Sequence, residues 1–426
     1  MSTSARVAAA LVATTVLFLT ACNSDSNDAQ VRLLNVSQGY SSLDVYAGST
    51  KEKSAVTSGT LSSYFGLGAN TYTLKFTVSG VTTALASSSV TFTEKTHQTF
   101  VAYGDTGSFA TLQIGEDASA PSSGTSNVEL VNAAPDAGAL DVYFTASTTS
   151  LDDVSPTFSD VAGGSISSAG FVNLTSGTYR MRVTGTGSKT DIRLDVASVT
   201  LSSSSISSVI VSDTSGGVLV NASILPQQGS ITADDNTSAR VRAVAGVTGS
   251  SAVDVSVGGT SLLASAPSGT IGDYSLVTAG SAAVSLSVGG TAVTAASQTL
   301  TAGADYTVLI WTDSTGTTQE SLLSETNGLA ASGDAKIHLV NSMSGLGDPL
   351  SMTVSYTPEA ESIALGASSA VESVTDGTSI PLGVTDTTTS TTLYTNSAAS
   401  LASQGVYTLF MFGTAAAPVG TLQSDR

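Results

Sequence analysis

The sequence has few residues that carry redox, metal or ionic chemistry. It contains one cysteine, two histidines and one tryptophan in 426 residues. Charged residues make up 11% of the chain, against about 25% in an average soluble domain. One cysteine cannot form an intrachain disulfide, so the stability of the folded chain must come from packing. Serine, threonine, glycine and alanine replace the missing charges, which predicts a polar but largely non-ionic surface.

Positive charge is especially scarce. The chain has 14 Lys and Arg against 33 Asp and Glu, a formal net charge of −19. Nucleic acids and anionic lipid surfaces bind basic patches, so this balance argues against both as partners. A chain of 426 residues also exceeds what one hydrophobic core organises, so we expect several domains.

The single cysteine, Cys22, follows an apolar segment near the beginning of the sequence. Arg6 precedes 14 mainly apolar residues, 7–20. Because a membrane-spanning helix needs about 20 apolar residues, this segment predicts a secretory signal peptide over residues 1–21. Residues 23–29, NSDSNDA, are polar and lack periodicity, so residues 22–29 are expected to form the modified cysteine and a flexible tether.

The run LTAC, residues 19–22, resembles a bacterial lipobox. The resemblance implies cleavage before Cys22, a diacylglycerol thioether on its sulfur and acylation of the new amino group. Each buried methylene contributes about 0.8 kcal/mol, so two or three chains suffice for stable anchoring. Asn23, by analogy with enterobacterial lipoproteins, favours the outer membrane, facing either the cell surface or the periplasm. The alternative is an ordinary secreted protein with one free thiol.

One pattern recurs four times along the chain. VRLLNVSQGYSSLDVY begins at Val31, VELVNAAPDAGALDVY at Val128 and VRAVAGVTGSSAVDVS at Val241. A fourth copy, IHLVNSMSGLGDPLSMTVS, begins at Ile337. The starts are 97, 113 and 96 residues apart, which is the size of independent domains.

Each copy reads as a series of short strands. Apolar runs close the copies at residues 99–105, 207–213, 306–313 and 407–414. The segments that precede these closing runs alternate polar and apolar residues and are bounded by glycine and serine. This pattern predicts an all-β chain of four tandem immunoglobulin-like antiparallel β-sandwich domains. The predicted sandwiches occupy residues 30–117, 126–228, 238–325 and 334–426. Placed end to end, they would reach roughly 130–150 Å from the membrane.

The opening pattern V-x-L-V-N-x-x-P-x-x-x-x-L-D-V-Y resembles the bacterial family called domain of unknown function 4397. The second copy carries it through Asn132, Pro135, Asp141, Val142 and Tyr143. The departures are Gln38 for the proline in the first copy, and Ala245 and Ser256 for the asparagine and tyrosine in the third. The resemblance covers nearly all of residues 30–426 and implies an exported protein, but no activity comes with it.

The repeated aspartate is a candidate ligand-binding residue. Asp44, Asp141 and Asp254 occupy the same position, and three extra loop residues place Thr353 there in the fourth copy. Alternation along the strand turns these carboxylates away from the core. We expect them to accept backbone N–H bonds from the preceding turn. The alternative is a cation or ligand contact, although calcium needs about 6–8 oxygens.

Asparagines and aromatic residues recur near the same positions. Asn35, Asn132 and Asn341 follow the first strand, where Asx turns explain them. The tyrosines Tyr46 and Tyr143, on the face of the aspartates, are expected to cover a sheet face or a domain junction. The lone tryptophan, Trp311, is expected to pack in a core or at an edge. The alternative for all three aromatic residues is stacking on sugars.

Acidic residues lie at all three linkers, which raises the hypothesis of interdomain calcium. The pairs are Glu116 and Asp117, Asp234 and Asp235, and Glu325 and Asp334. No Asp-x-Asp-x-Asp loop accompanies them. We therefore predict no metal site and no cofactor, and leave open whether these linkers bind calcium.

Catalytic patterns are not found. His97 and His338 lie in different copies, where we expect them on strand surfaces, and Cys22 is used by lipid. We therefore predict a non-enzymatic, lipid-anchored exported surface protein with a structural, adhesive or envelope-interaction role. Its partners would be the membrane, through the acyl chains on Cys22, and an envelope, matrix or glycan component, but not nucleic acid. The alternative is a carbohydrate- or small-ligand-binding lipoprotein that uses an aromatic sheet face or a domain junction. The oligomeric state stays open.

Overall fold

The structure, a computed structural model, describes residues 27–426, so the predicted signal peptide and Cys22 lie outside the described residues. This part of the chain forms strands, turns and loops, which confirms the all-β prediction. It contains no helix that could span a membrane.

The strands fall into four consecutive repeats. Repeat 1 has β1 (Ala29–Asn35), β2 (Ser42–Ala47), β3 (Thr50–Thr57), β4 (Thr60–Leu61), β5 (Phe65–Leu67), β6 (Thr71–Val78), β7 (Ala84–Thr91), β8 (His97–Tyr103) and β9 (Ala110–Gly115). Repeat 2 has β10 (Thr125–Ala133), β11 (Leu140–Thr145), β12 (Phe158–Val161), β13 (Ser165–Ile166), β14 (Val172–Thr175), β15 (Gly177–Gly185), β16 (Ile192–Leu201), β17 (Ser205–Asp213), β18 (Val220–Pro226) and β19 (Thr232–Asp234). Repeat 3 has β20 (Ser238–Gly246), β21 (Val253–Val257), β22 (Thr260–Ala266), β23 (Ser275–Thr278), β24 (Gly280–Ala282), β25 (Val284–Val288), β26 (Thr291–Val293), β27 (Gln298–Leu300), β28 (Asp305–Thr312) and β29 (Thr318–Glu325). Repeat 4 has β30 (Asp334–Asn341), β31 (Leu350–Val354), β32 (Thr357–Ile363), β33 (Glu372–Thr375), β34 (Gly377–Asp386), β35 (Thr392–Leu401), β36 (Val406–Thr414) and β37 (Ala417–Ser424).

Each repeat is built on two main sheets. In repeat 4 the first sheet has the order β33-β30-β36-β37 and the second sheet has the order β32-β31-β34-β35. Strand pairing is antiparallel except that the first strand of each repeat runs parallel to its closing strand, as β30 does to β36. That parallel pair forms because the chain crosses through the second sheet before returning to the first. The sandwich prediction is confirmed, with one parallel pair in each repeat.

An apolar core lies between the two sheets of every repeat. The alternation that predicted these strands is visible in β21, where Val253, Val255 and Val257 are buried while Asp254 and Ser256 are half-buried. The four cores are separate clusters. Alternation therefore positions one face of the second sheet in the core and leaves the other available for polar residues.

The first sheets are apolar on both faces, and their outer faces join the repeats in pairs. The cluster between repeats 1 and 2 includes Leu34, Val101, Val131 and Ile210, and the cluster between repeats 3 and 4 includes Val244, Leu309, Val340 and Phe410. Repeats within a pair therefore pack face to face, and the expectation of four sandwiches end to end is wrong. Burial on both faces explains why the closing strands read as continuous apolar runs.

Candidate functional site: the junctions between repeats

The repeated aspartate accepts backbone N–H groups. Oδ1 of Asp44 accepts the Ala55 N–H at 2.9 Å and Oδ2 accepts the Gly80 N–H at 3.2 Å. Oδ1 of Asp141 accepts the Asp160 N–H at 2.8 Å. These donors lie after the aspartate, so the expected donors in the preceding turn were wrong. The cause is an irregularity in the next strand, where Ala55 and Asp160 have φ of 54° and 52° and their N–H groups turn to the carboxylate.

The same bond locates the equivalent residue in the other two repeats. In repeat 3, Asp254 accepts the Ser265 N–H at 2.8 Å. In repeat 4, the Ser362 N–H donates to Oγ of Ser351 at 3.3 Å. Strand register confirms that Ser351 and not Thr353 stands at the aspartate position, so the preceding loop holds fewer extra residues than expected.

The predicted Asx turns are present, and their asparagines also join the two sheets. Asn35, Asn132 and Asn341 are fully buried. Oδ1 of Asn35 accepts the Ser37 N–H at 3.1 Å, while its Nδ2 donates to the Val56 carbonyl in the second sheet at 3.0 Å. The other two asparagines make the equivalent contacts.

The aromatic residues singled out in the sequence are wholly or partly buried. Tyr143 is only 2% exposed, and Tyr46 is half-buried. The indole N–H of Trp311 donates to Oγ of Ser321 at 3.0 Å. Gly366 of repeat 4 lies so close to the Trp311 ring that a Cβ there would collide with it. Trp311 thus belongs to the junction of repeats 3 and 4.

A buried ionic cluster lies beside the apolar contact of repeats 1 and 2. Nη2 of Arg32 lies 2.6 Å from Oε2 of Glu116, and Nη1 donates to the Gly229 carbonyl at 2.6 Å. The Tyr64 hydroxyl and the Gln228 N–H donate to Glu116 at 2.8 and 2.6 Å. The ring of Tyr64 covers the guanidinium at 4.4 Å. Residues of both repeats therefore satisfy one buried carboxylate.

A second buried ionic cluster lies between repeats 3 and 4. Arg242 pairs with Asp425 and lies 3.6 Å from Glu325. Nε2 of His338 lies 3.0 Å from Oε2 of Glu325. Burial opposes ionisation of this carboxyl, but His338 and Arg242 lower the pKa of Glu325 to about 2. His338 is 1% exposed because repeat 3 covers its strand, so the expectation of a surface histidine is wrong.

The two clusters are built from equivalent positions of repeats 1 and 3. The equivalent residues are Arg32 and Arg242, Thr99 and Thr307, Glu116 and Glu325, and Tyr64 and Tyr274. Sequence reasoning missed them. The available signal was the dipeptide VR that opens only the first and third copies, together with a glutamate at the end of the last strand.

Arg426 joins the two pairs of repeats. Its guanidinium donates to the carbonyls of Asp136 at 2.7 Å and Ala137 at 2.8 Å in repeat 2. It also donates to the carbonyl of Gly217 in repeat 2 at 3.1 Å and to the carbonyl of Asn327, in the segment before repeat 4, at 3.3 Å. A single side chain thus holds three separate segments together.

A buried acid lies close to that contact. Asp213 is 5% exposed, and its Oδ1 accepts the Ala137 N–H at 3.2 Å. Burial, together with the neighbouring Asp136, raises the pKa of Asp213 to about 8. At neutral pH this side chain is therefore largely a neutral acid.

Several of the acids that suggested calcium are bound by protein groups. Glu116 and Glu325 belong to the ionic clusters, and Asp117 lies 2.8 Å from Nδ1 of His97. Within residues 27–426, no three His, Cys, Asp or Glu side chains are grouped to hold a metal ion. His97 and His338 lie at different junctions and do not come together.

A groove of about 630 Å³ lies between repeats 2 and 3. Strand β16 forms one wall, and the segment 234–238 with the exposed Leu276 forms the other. The ion pair of Arg180 with Asp195 borders it. The groove therefore offers both charged and apolar contacts to a small ligand.

The sequence matches the family described as Domain of unknown function (DUF4397) over residues 29–143 and 239–348. Each match begins at the first strand of an odd-numbered repeat, and the two matches together cover more than half of the chain. No curated protein matches the sequence.

Among solved structures, the chain resembles the Bacillus anthracis TIE protein at 8% identity and a TM-score of 0.15, over 66% of this chain and 50% of that one. The chain thus spans half the length of that protein. It also resembles a putative cell adhesion protein from Bacteroides uniformis at 10% identity and a TM-score of 0.17, over 71% of this chain and 97% of that one. TM-scores this low bear on neither fold nor function.

Proposed function

The chain belongs to the DUF4397 family, and we propose that it is a lipid-anchored, exported surface protein with a structural or adhesive role. The observation that carries this proposal is the fastening of the repeats by buried ion pairs and apolar contacts at their junctions. Fastened in this way, the sandwiches form two packed pairs, and Arg426 joins one pair to the other. Such an arrangement suits the display of a polar, weakly charged surface.

The lipobox-like run at residues 19–22 supports anchoring through acyl chains on Cys22. The proposed role is non-catalytic. Its support is that buried titratable side chains such as Glu116, Glu325 and His338 are engaged with one another or with arginines, in contacts that hold repeats together. Groups held this way are not positioned to act on a substrate in solvent.

Two measurements on cells test the proposal. Labelled palmitate should enter the wild-type chain and not the Cys22→Ala variant. Proteinase K added to intact cells should digest repeat 4 while a periplasmic control protein survives. Labelling that persists in Cys22→Ala would contradict the anchor, and protection of repeat 4 until the envelope is broken would contradict surface display.

The groove between repeats 2 and 3 favours a second candidate function, binding of a small ligand or carbohydrate by the anchored protein. Of the aromatic residues considered for this role, Tyr143 is buried and Trp311 is half-buried against Gly366 of repeat 4. A glycan and metabolite array with residues 23–426 tests it. Hits that disappear when Leu276 is replaced by aspartate would place the ligand in the groove, and an array without hits would remove this candidate.

A further inference from the structure

One hairpin turn in repeat 4 holds an exposed aromatic side chain in a strained backbone conformation. The turn between β31 and β32 contains Ser355 and Tyr356, with φ of 49° and 67°. Tyr356 is 84% exposed. Turns with positive φ at both central residues favour Asn and Gly, and the same turn in repeat 3 contains Gly258 and Gly259. A positive φ at an exposed aromatic residue is an outlier of the kind that motivates a hypothesis of function.

Tyr356 borders a groove of about 350 Å³ on the outer face of the second sheet of repeat 4. Register places Thr353, Gly383 and Thr395 side by side across β31, β34 and β35. Gly383 has no side chain, so it leaves a depression between the two threonines. Its φ is not positive, so the backbone does not require glycine there. A glycine inside a strand often marks close approach of a ligand.

The lining of this groove is uncharged. Hydroxyl and amide groups come from Thr385, Thr392 and Asn396, while Pro381 adds apolar surface. Tyrosine supplies rigid contact area with a polar tip, and hydroxyl and amide groups bond sugar hydroxyls. This combination fits a pyranose ring, which has an apolar face and a rim of hydroxyls.

The corresponding faces of the other repeats are different. Repeat 1 places Lys51 over Tyr46, and repeat 2 carries the ion pair of Arg180 with Asp195. Repeat 3 has a groove lined by serines and by Asp254, with no aromatic residue. The net charge of −19 disfavours acidic polysaccharides as partners. We propose that the Tyr356 groove binds neutral polysaccharides.

Neutral polysaccharides would be the partners in the proposed adhesive role, on which this inference rests. Their binding can be tested on soluble protein, because binding does not depend on the lipid anchor. The test uses residues 23–426, which keep every described residue, in affinity gels containing glucan, mannan or galactan, with alginate as the acidic control. The wild type should be retarded by at least one neutral polymer and not by alginate. Tyr356→Gly should weaken binding about tenfold or more, as expected for loss of an aromatic anchor, and Tyr356→Phe should retain it.

Two further variants separate the site from the fold. Gly383→Lys fills the depression and should abolish binding. The fold should tolerate this change, because a Cβ there meets only the hydroxyl of Thr353, which can rotate away. Ser285→Lys introduces the same side chain at the equivalent position of repeat 3 and should leave binding unchanged. Tyr356→Gly relieves the turn, so its melting temperature should not fall. Failure of the wild type to bind any neutral polymer, or unchanged binding by Tyr356→Gly and Gly383→Lys, would overturn the inference. Neither result would affect the palmitate and protease tests of anchoring.

Discussion

The guanidinium of Arg32 lies 2.6 Å from the carboxylate of Glu116, and both side chains are buried where repeats 1 and 2 meet. Because Glu116 also accepts bonds from Tyr64 and Gln228, this ion pair connects a strand of repeat 1 to the end of repeat 2. The arrangement recurs with Arg242 and Glu325 in repeat 3. The ion pair is therefore a feature of how repeats pair, rather than of one sandwich.

Replacing Arg32 by methionine should destabilise the pair of repeats 1 and 2. Glu116 would remain buried without its cation, and breaking a buried pair in this way costs about 3–5 kcal/mol. The measurement is the free energy of urea unfolding of wild type and variant. Arg180→Met is the matched control, since its ion pair with Asp195 is partly exposed and should contribute about 0.2–1 kcal/mol. Equal losses in both variants would contradict a special role for the buried pair.

Asp213 should make the protein less stable as the pH rises. The folded-state pKa of Asp213 is about 8, whereas an unfolded aspartate has a pKa of about 3.9. Between these values the folded state binds a proton that the unfolded state has released, so stability falls as pH increases. Asp213→Asn should flatten this dependence and raise stability at pH 8 by at most about 5 kcal/mol, the value that corresponds to the full difference between the two pKa values.

Thermal unfolding between pH 5 and 9 measures the effect, with the pH values chosen to span the folded-state pKa of Asp213, about 8. Asp153→Asn, at an exposed loop position, is the control and should follow the wild type. A wild-type melting temperature that rises steadily over this range, or an Asp213→Asn profile parallel to it, would show that Asp213 ionises normally.

Arg426 should control how the two pairs of repeats are held together. Its guanidinium bonds carbonyls of Asp136, Ala137, Gly217 and Asn327. Each bond from a charged group contributes about 1.5–3 kcal/mol, so Arg426→Ala should loosen this contact. Hydrogen exchange should become faster around residues 136–138 and 327–329 and stay unchanged inside repeat 1. Uniformly faster exchange across all repeats would instead indicate global destabilisation.

The sequence predicted the sandwiches well because alternation and turn residues are local signals. Four copies, the all-β class and the Asx turns of Asn35, Asn132 and Asn341 all followed from spacing. The pairing of repeats did not, since Arg32 and His338 look like surface residues when only one face of a strand is considered. Burial of both faces depends on contacts between segments far apart in sequence, and the continuous apolar runs of the closing strands are one local sign of it.

The candidate groove shows a similar limit. Tyr143 occupies a repeated position and Trp311 is the lone tryptophan, yet Tyr143 is buried and Trp311 is half-buried against repeat 4. Tyr356 is exposed because it occupies a two-residue turn. Its proposed role in binding was suggested by its positive φ, which the amino-acid composition does not reveal. The glycine beside it becomes meaningful only once strand register places it between two threonines.

Ser351 should be the position that governs the strand irregularity of repeat 4. Its hydroxyl accepts the Ser362 N–H at 3.3 Å, where the other repeats use a carboxylate. A charged acceptor forms a stronger bond than a neutral one, so Ser351→Asp should stabilise repeat 4 by about 1 kcal/mol. Thr353→Asp, at the position that sequence spacing favoured, should give no gain because no backbone N–H faces it from the strand irregularity. Urea unfolding of both variants distinguishes the two alignments, and a gain in Thr353→Asp alone would restore the alignment based on spacing.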